Sequence, residues 1–419
     1  MLLLKALRNR PIALLWSGQA LSAIGDEIYR VALIWFAVTL IGADTGYLAA
    51  GQCASLLALG LIGGKWADHW NHRKTMIYVD ALRGLIVLLP VVLLPFLSHP
   101  LPLLWFVALT LSGLSAFFDP ALQATLPSFS QDIETLQAAT GLMGTTLRLA
   151  RVIGPAIIGI LSPFVSMIHF FTIDAFSFFT SAASIASLNR VSQIRHVRQK
   201  ATPKPERQSF REAIVSGFRV AQASPGMMFV LLTKGILGGS WMLAFNLGLA
   251  LLAHKIAPKD PRVFGLIIAF YGIGNVVSAL ILGNQRRHRP ALILFAGYVW
   301  MGIGFILMAL SPSLLLILLS SALAAIGGPL NDLPFFDLVQ ARFQIADIPK
   351  IFRLRMVLET GATLVCMLAS PMLFRVLNVE TVIVLCGLSM TVAGLLGLAL
   401  CPLSRETLGL AADSLGGSS

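Results

Sequence analysis

The sequence predicts an all-α integral membrane protein with twelve transmembrane helices, arranged as two parallel six-helix halves around a central cavity. Composition, the lengths of the apolar runs and an internal repeat lead to this prediction. Of the 419 residues, 57% are hydrophobic and only 12% are charged, with a mean hydropathy of +0.82. A soluble globular chain of this length carries about twice that share of charged residues. The bilayer is therefore the expected solvent.

The positive net charge does not indicate a nucleic-acid partner. The formal charge is +12, but Lys and Arg are distributed among short segments between apolar runs, whereas a nucleic-acid binder gathers them on one soluble face. No nucleophile elbow, His-rich metal cluster or phosphate loop is found, which argues against an enzyme. The cysteines show no metal or redox spacing. They are Cys53, Cys366, Cys386 and Cys401. We predict no metal site.

The apolar runs make twelve spans at about 20 residues per crossing. The first six cover 12–41, 46–66, 75–97, 101–127, 135–162 and 167–189. The second six cover 226–253, 262–283, 290–309, 312–340, 352–375 and 379–402. No small-residue cleavage site follows the first run, so we expect it to remain as span 1 rather than to be removed as a signal peptide.

Positive charges set the expected orientation. With the N-terminus inside, most basic residues next to the spans fall in the cytoplasm, and only four fall outside: Lys255, Lys259, Arg262 and Arg375. Because Lys and Arg concentrate in cytoplasmic loops, we predict that both termini are cytoplasmic in a multi-pass protein of a cytoplasmic membrane.

Two repeated sequence patterns indicate that the chain contains two copies of one six-span unit. The basic loop at 63–74, between spans 2 and 3, is matched by a second basic loop at 283–289, between spans 8 and 9. Phe117-Phe118-Asp119 near the end of span 4 returns as Phe335-Phe336-Asp337 near the end of span 10. Parallel halves of a transporter have this kind of repeat. The predicted halves are 1–189 and 226–403, with a cytoplasmic linker at 190–225 and a cytoplasmic tail at 404–419.

The linker is basic and polar, so it cannot bury a core of its own. Its basic residues include Arg195, Arg198, Lys200, Lys204 and Arg207. Four apolar residues that follow lie near one helical face: Phe210, Ile214, Phe218 and Val220. They predict a short amphipathic helix on the inner surface, with anionic lipid headgroups as its expected partner.

Polar side chains inside the spans recur at helical spacing. The stripes are Gln19, Ser22, Asp26 and Arg30 in span 1; Ser112, Ser115, Asp119 and Gln123 in span 4; Arg148, Arg151 and Pro155 in span 5; Tyr271, Asn275 and Ser278 in span 8; and Arg355, Glu359 and Cys366 in span 11. A charged side chain at the midplane costs about 2.5 to 3.5 kcal/mol if it faces lipid. The stripes therefore predict a water-filled path.

Five charged residues are candidates for proton coupling: Asp26, Glu27, Arg30, Arg148 and Arg151. At about 1.5 Å per residue, Asp26 and the two span 5 arginines can share one level in the membrane. A carboxylate beside arginine stays ionised until its partner is displaced, whereas an isolated buried one binds a proton more readily. The alternative is a fixed ion pair between Asp26 and Arg30, one helical turn later.

The charged residues of spans 3 and 7 can be explained by structural roles as well as by contact with a solute. Asp80 and Arg83, three residues apart in span 3, are expected to pair within their helix. Lys234 in span 7 lies near aromatic residues in a wall that suits an amphipathic anionic or polar solute; its alternative is snorkelling to the inner surface. The predicted solute-facing residues are Gln19, Ser115, Gln123, Lys234, Trp241, Phe245, Asn246, Tyr271, Asn275 and Glu359.

Two motifs resemble those of the major facilitator superfamily. The superfamily's loop between spans 2 and 3 has the pattern Gly-x-x-x-Asp-Arg-x-Gly-Arg-Arg/Lys; here Gly64, Asp68 and Arg73 match, while three residues depart from it: His69, Asn71 and His72. In span 5, Gly154-Pro155 followed by Gly159 resembles the motif of its proton-coupled drug antiporters. Proline removes a backbone donor and glycine permits close helix approach, so an ordinary packing kink is the alternative explanation.

Within that branch the chain is most similar to siderophore (enterobactin-type) exporters and macrolide efflux proteins. The resemblance implies a secondary transporter of the bacterial inner membrane that exports an amphipathic small molecule in exchange for protons, driven by the proton gradient without a cofactor. Proton-coupled uptake of a small metabolite and flipping of a lysophospholipid are the alternatives. We expect a monomer. The resemblance also implies gating roles for Gly64, Asp68, Arg73, Asp119, Gly154 and Pro155.

Overall fold

The computed structural model describes residues 6–66, 71–129, 133–188, 210–224, 226–283, 287–344, 347–401 and 403. Every regular element in these ranges is helical, which confirms the predicted all-α class. The longer helices are α1 (Arg10–Ile41), α2 (Thr45–Trp66), α3 (His72–Leu93), α4 (Leu101–Phe129), α5 (Ile133–Leu161), α6 (His169–Ser187), α7 (Phe210–Gln222), α8 (Met227–Ile256), α9 (Pro261–Gly283), α10 (Pro290–Leu310), α11 (Leu314–Arg342), α12 (Ile348–Val376) and α13 (Val379–Leu400).

Eleven continuous segments of the described chain are long and apolar enough to cross a membrane. The first, Arg10–Gly60, contains 51 residues and holds both α1 and most of α2. A short 3₁₀ turn at Gly42–Asp44 separates these two helices. Gly42 has a φ of 53°, a left-handed conformation that glycine adopts without steric cost. The chain can therefore reverse direction there.

Local sequence explains where several helices begin. The side chains of Asn71 and Asn378 accept hydrogen bonds from the backbone N–H groups of Lys74 and Thr381, at 3.2 and 2.8 Å, at the starts of α3 and α13. These are ordinary N-cap contacts. Proline occupies the first position of α9 and α10, where its missing N–H costs nothing.

The α8 helix changes its winding in the middle. It is a single apolar segment over Met227–Ile256, but Leu243–Gly248 forms a π-helix. Such segments often occur at functional positions because they redirect side chains. Two of the predicted solute-facing residues, Phe245 and Asn246, lie in it.

The contacts divide the chain into two compact units. The first comprises the described residues of Met1–Pro205 together with Phe245–Gly272 and Met367–Val376. The second comprises those of Glu206–Ala244, Ile273–Cys366 and Leu377–Ser419. The predicted halves at 1–189 and 226–403 rest on the sequence repeat and remain a prediction.

In the first unit, α1 packs on α5 and α6, and α3 packs on α4 and α6. In the second unit, α10 packs on α11 and α13. Small residues let these backbones approach: a Cβ at Gly304 would lie 2.7 Å from the backbone nitrogen of Ala324 on α11, and one at Gly387 would lie 2.7 Å from the carbonyl oxygen of Gly302 on α10. Packing on small residues is typical of membrane helices.

The amphipathic helix predicted after the linker is present as α7. Gly217 and Ala221 are buried, and a Cβ at Gly217 would lie 2.8 Å from the carbonyl oxygen of Lys350. Val215 and Phe218 are exposed. The lipid partner predicted for this helix remains a prediction.

Candidate transport site

Asp26 lies midway along α1, and its side chain is exposed. The charged groups that act on it are Arg83 of α3, its neighbour Glu27, and Asp119 of α4. The expected alternative of a fixed pair with Arg30 is wrong, because Arg30 binds Glu27 instead. Residues one position apart point in different directions around a helix, so Asp26 and Glu27 take part in different networks.

Glu27 and Arg30 connect α1 to the π-helical segment of α8. Arg30 Nε donates to Glu27 Oε2 at 2.9 Å, and Arg30 Nη1 donates to Asn246 Oδ1 at 2.9 Å. The Arg30 guanidinium lies 5.9 Å from the centroid of the Phe245 ring, which in turn lies 4.5 Å from that of Tyr271. Residues predicted separately for proton coupling and for solute contact therefore belong to one cluster.

The span 5 motif packs on α1. A Cβ at Gly154 would lie 2.7 Å from Glu27 Cβ and 3.2 Å from the Ile24 carbonyl oxygen. Gly154 therefore packs on α1, whereas Pro155 and Gly159 pack on α9. A Cβ at Gly265 would lie 2.9 Å from the Gly159 nitrogen and 3.1 Å from the Pro155 carbonyl oxygen.

The two arginines of span 5 do not pair with Asp26. Arg151 Nε lies 3.7 Å from Glu27 Oε1, and its side chain is 66% exposed. Arg148 is exposed one turn earlier on α5. Depth along the helix placed these groups at one level, but it did not establish which side of α1 they reach.

A buried polar cluster lies between α3 and α6. Asp80 and Arg83 form the predicted pair within α3, with Arg83 Nη1 at 3.7 Å from Asp80 Oδ1. Asp80 Oδ2 accepts a hydrogen bond from Ser181 at 2.6 Å, and Ser181 accepts one from Gln19 at 2.8 Å. Asp174 of α6 is fully buried nearby and was not predicted. A carboxylate inside an apolar run was the signal available for finding it.

A charged network occupies the second unit. Lys234 is only 2% exposed; its Nζ hydrogen-bonds Asn331 and lies 3.0 Å from Asp332 Oδ1. Arg355 Nη2 lies 3.0 Å from the same oxygen, and Arg355 Nε lies 2.6 Å from Glu359 Oε1. Lys234 therefore does not snorkel to a surface, and the alternative expected for it is wrong.

The remaining predicted residues are more dispersed. Ser115 bonds the Leu111 carbonyl of its own helix at 3.1 Å, while Gln123 and Asp119 are exposed. Trp241 is partly buried. The side chain of Asn275 lies beside Gly328 of α11, where an added Cβ would be 2.7 Å from Asn275 Nδ2.

Among the predicted gating residues, Arg73 donates to the Ile185 and Ala186 carbonyl oxygens at 3.0 and 2.6 Å. It thereby caps the C-terminus of α6, where a cation is favourable. Asp68 lies outside the described residues, as does the side-chain environment of Gly64. Their predicted gating roles remain predictions.

Comparison with known proteins agrees with this architecture. A family model described as a transmembrane secretion effector matches residues 3–332. The multidrug efflux pump Tap of Mycolicibacterium fortuitum is 25% identical over 344 residues, which cover 77% of this chain and 79% of that protein. The staphyloferrin A transporter of Staphylococcus aureus is 23% identical over 277 residues, which cover 65% of this chain and 67% of that protein.

Solved structures share the fold. The crystal structure of a POT family transporter in complex with 5-aminolevulinic acid superposes with a TM-score of 0.70 at 14% identity, covering 95% of this chain and 97% of that one. Because the family model matches most of the sequence, the chain belongs to the transmembrane secretion effector family of the major facilitator superfamily, whose members are membrane transporters rather than enzymes.

Proposed function

We propose that this protein exports an amphipathic small molecule in exchange for protons, by alternating access in a bacterial cytoplasmic membrane. The observation that carries the proposal is the exposed carboxyl of Asp26, midway along an apolar helix. Such a group is too costly to hold against lipid, so it faces water or charged partners. A carboxyl held in such a place inside the spans can take up and release a proton, which supports the proposal.

The proposed solute contact is the network of the second unit. Its carboxylates are its more exposed members: the side chain of Asp332 is 50% exposed and that of Glu359 is 30% exposed. The cations lie behind them, with Lys234 at 2% and Arg355 at 17%. A solute approaching from water therefore meets negative charge first. This supports an amine-bearing, positively charged amphipathic solute over an anionic one, which the wall around Lys234 also allowed.

Aromatic rings around the network support the amphipathic character of the solute. Phe335 lies 5.2 Å from Lys234 Nζ and 4.8 Å from the Arg355 guanidinium carbon, measured to the ring centroid. Apolar walls with a few placed polar groups are typical of small-molecule sites. Similarity to a multidrug efflux pump agrees with this solute class.

A carboxylate siderophore is the second candidate solute, because one relative is a staphyloferrin A transporter. Its binding requires a different event. A solute carboxylate would have to replace Asp332 Oδ1, which now accepts from both Lys234 and Arg355 at 3.0 Å. The two candidates therefore predict opposite effects of removing Asp332.

Inverted membrane vesicles with an acidic lumen test both parts of the proposal. We expect them to accumulate ethidium or erythromycin more strongly than a citrate-based siderophore, and accumulation to stop when the pH gradient is collapsed. Asp26→Asn should reduce gradient-driven accumulation at least about tenfold while gradient-free exchange persists. Asp260→Asn, at an exposed helix start, is the matched control. Accumulation that ignores the pH gradient would refute proton exchange.

Asp332→Asn separates the two solute classes. It should weaken accumulation of the cationic probes, since the carboxylate they meet is gone. For a siderophore it should strengthen binding, because Lys234 and Arg355 are released. A gain of siderophore accumulation, with accumulation of the cationic probes unchanged, would reverse the assignment of solute charge.

A further inference from the structure

A buried polar seam lies where α6 packs against α1. Its α6 side carries four polar residues at helical spacing: Asp174, Ser177, Ser181 and Ser184. They fit because α1 presents glycine to them: a Cβ at Gly25 would lie 2.6 Å from Asp174 Oδ1, and one at Gly18 would lie 2.8 Å from Ser184 Cβ. Asp174 is thereby held against a helix backbone with no exposed surface.

The hydrogen bonds of the seam indicate a proton on Asp174. The Ser177 hydroxyl donates to the Asp174 carbonyl oxygen at 2.8 Å and to Asp174 Oδ1 at 3.2 Å. A hydroxyl has one proton to give, so the two contacts share it, and Asp174 Oδ2 has no hydrogen-bond partner among the described residues. One shared donor does not satisfy a fully buried carboxylate, so the carboxyl group is better satisfied as the neutral acid. Asp80 differs, because Ser181 donates to its Oδ2 at 2.6 Å and Arg83 Nη1 lies 3.7 Å from its Oδ1, and this cation favours the ionised form.

The charges around the seam lead to the same result. Among the described residues, the groups acting on Asp174 are Asp26 of α1 and Asp80 and Arg83 of α3. Arg83 also acts on Asp26 and on Asp119 of α4. Arg83 thus acts on four carboxyl groups, of which Asp80 and Asp174 are buried. Burying two negative charges against one positive charge is unfavourable, so one of the two buried carboxyl groups binds a proton instead.

Two polar atoms of the seam have unused hydrogen-bonding capacity. Asp174 Oδ2 and the Tyr29 hydroxyl are buried without a hydrogen-bond partner among the described residues. Tyr29 lies on α1 one turn after Gly25, and both Asp26 and Asp174 act on it. Asp174 Oδ2 therefore meets no donor that would satisfy an ionised carboxylate.

We propose that Asp174 is the group that binds and releases the exchanged proton, and that Asp26 connects it to water. In the transfer, the proton of the Asp174 carboxyl passes to the Asp26 carboxylate. Asp174 becomes a carboxylate and Asp26 becomes an acid. The inference rests on the proposed proton exchange and adds the position of the proton.

Infrared spectroscopy of the purified full-length protein in lipid tests the position of the proton without a transported solute. At neutral pH we expect a carboxylic acid C=O band from a buried, protonated side chain. Asp174→Asn should remove this band. Asp80→Asn, which removes the neighbouring buried carboxylate, should leave it. A band that is missing from the wild-type protein, or lost in Asp80→Asn and kept in Asp174→Asn, would overturn the assignment.

Ethidium transport tests exchange of that proton. Asp174→Asn mimics the protonated acid, so gradient-driven accumulation should fall at least about tenfold while gradient-free exchange stays within about twofold. Wild-type accumulation that is gradient-driven, together with unchanged Asp174→Asn accumulation, would overturn this inference alone. If wild-type accumulation itself ignores the gradient, the proposed function fails instead, whatever the infrared band shows.

A second substitution covers the case in which Asp174→Asn does not fold. Ser177→Ala removes the hydroxyl that bonds Asp174 Oδ1 and leaves the carboxyl in place. The C=O band should move to higher frequency, because a hydrogen bond to the carboxyl group is lost. A band that does not move in the folded Ser177→Ala protein would place the proton on another group.

Discussion

Arg375 donates hydrogen bonds to both carboxylate oxygens of Asp44, at 2.7 and 3.0 Å. Asp44 lies in the turn that follows α1, and Arg375 lies in the last turn of α12. Beside the pair, a Cβ at Gly46 would lie 2.9 Å from the Met367 carbonyl oxygen and 3.2 Å from Pro371 Cδ. The ion pair and this close packing together hold the end of α12 against the turn between α1 and α2.

Breaking the pair should loosen this end of the first unit. Both side chains are partly exposed, at 39% and 64%, so the pair contributes at most about 1 kcal/mol. Arg375→Ala should therefore raise the labelling rate of a cysteine introduced at Ala43 by up to about fivefold. Asp44→Ala should do the same, and the double variant should add nothing further. Lys259→Ala is the control. If both single variants label at the wild-type rate, the ion pair does not hold the end of α12 against the turn between α1 and α2.

The contact between α5 and α1 predicts a large effect of a side chain at Gly154. Gly154→Leu places atoms where a Cβ alone would already lie 2.7 Å from Glu27 Cβ, at a packing cost of about 1 to 3 kcal/mol. The variant should lose gradient-driven efflux, because Glu27 and its partner Arg30 must move.

The same helix supplies a matched control. No neighbouring atom lies within 4 Å of a Cβ at Gly144, so Gly144→Leu should transport normally. Vesicle accumulation, normalised to the amount of inserted protein, compares the two variants. Equal activity of both would mean that the span 5 motif tolerates separation of α5 from α1.

The helices could be predicted from the sequence because their signal is local. Apolar length determines where a chain can cross a bilayer, and the predicted spans agree with the observed helices to within a few residues at most ends. The π-helical winding at Leu243–Gly248 could not be predicted, since no proline or glycine pattern distinguishes it from ordinary helix.

Partner choice could not be predicted, because it depends on rotation about helix axes. Spacing placed Asp26 and Arg30 on one stripe, yet Arg30 bonds Glu27 and Asn246. Sequence identified Lys234 as a buried cation but not Asp332 as its partner, since the two are far apart in the chain. The position of Asp174 in the apolar run was a signal, but the sequence does not show that the residue packs against Gly25, because the two are far apart in the chain.

The ion pair at the end of α11 gives a third prediction. Arg287 belongs to the second basic loop, and Asp337 is the last residue of the repeated Phe-Phe-Asp motif. Arg287 Nε lies 2.5 Å from Asp337 Oδ2. The arginine side chain is only 9% exposed, so Asp337→Ala should lower stability by about 1.5 to 3 kcal/mol, the range for hydrogen bonds to charged groups. Asp347→Ala, which breaks a more exposed pair with Lys350, should cost less than about 1 kcal/mol. Equal losses in a detergent unfolding assay would contradict the structural difference between the pairs.

The buried lysine of the second unit gives the sharpest comparison, because the chain contains an exposed counterpart. Lys234 and Lys350 each bind an aspartate, at 3.0 and 2.7 Å, but their side chains are 2% and 31% exposed. Lys234→Met keeps the volume of the side chain and removes its charge. Asn331 and Asp332 then lose a donor in a dry environment, and breaking a buried pair from one side costs about 3 to 5 kcal/mol.

Lys350→Met removes an ion pair that is shorter, at 2.7 Å, but more exposed. Water replaces the lost contact there, so this change should cost less than about 1 kcal/mol. Thermal unfolding in detergent measures both variants. The network should also lose binding of the cationic probes in Lys234→Met, since Asp332 no longer has its buried partner to hold it in position. If Lys234→Met proves as stable and as active as Lys350→Met, the prediction is contradicted. Arg355, whose Nη2 lies 3.0 Å from Asp332 Oδ1, would then be sufficient to hold Asp332 in place.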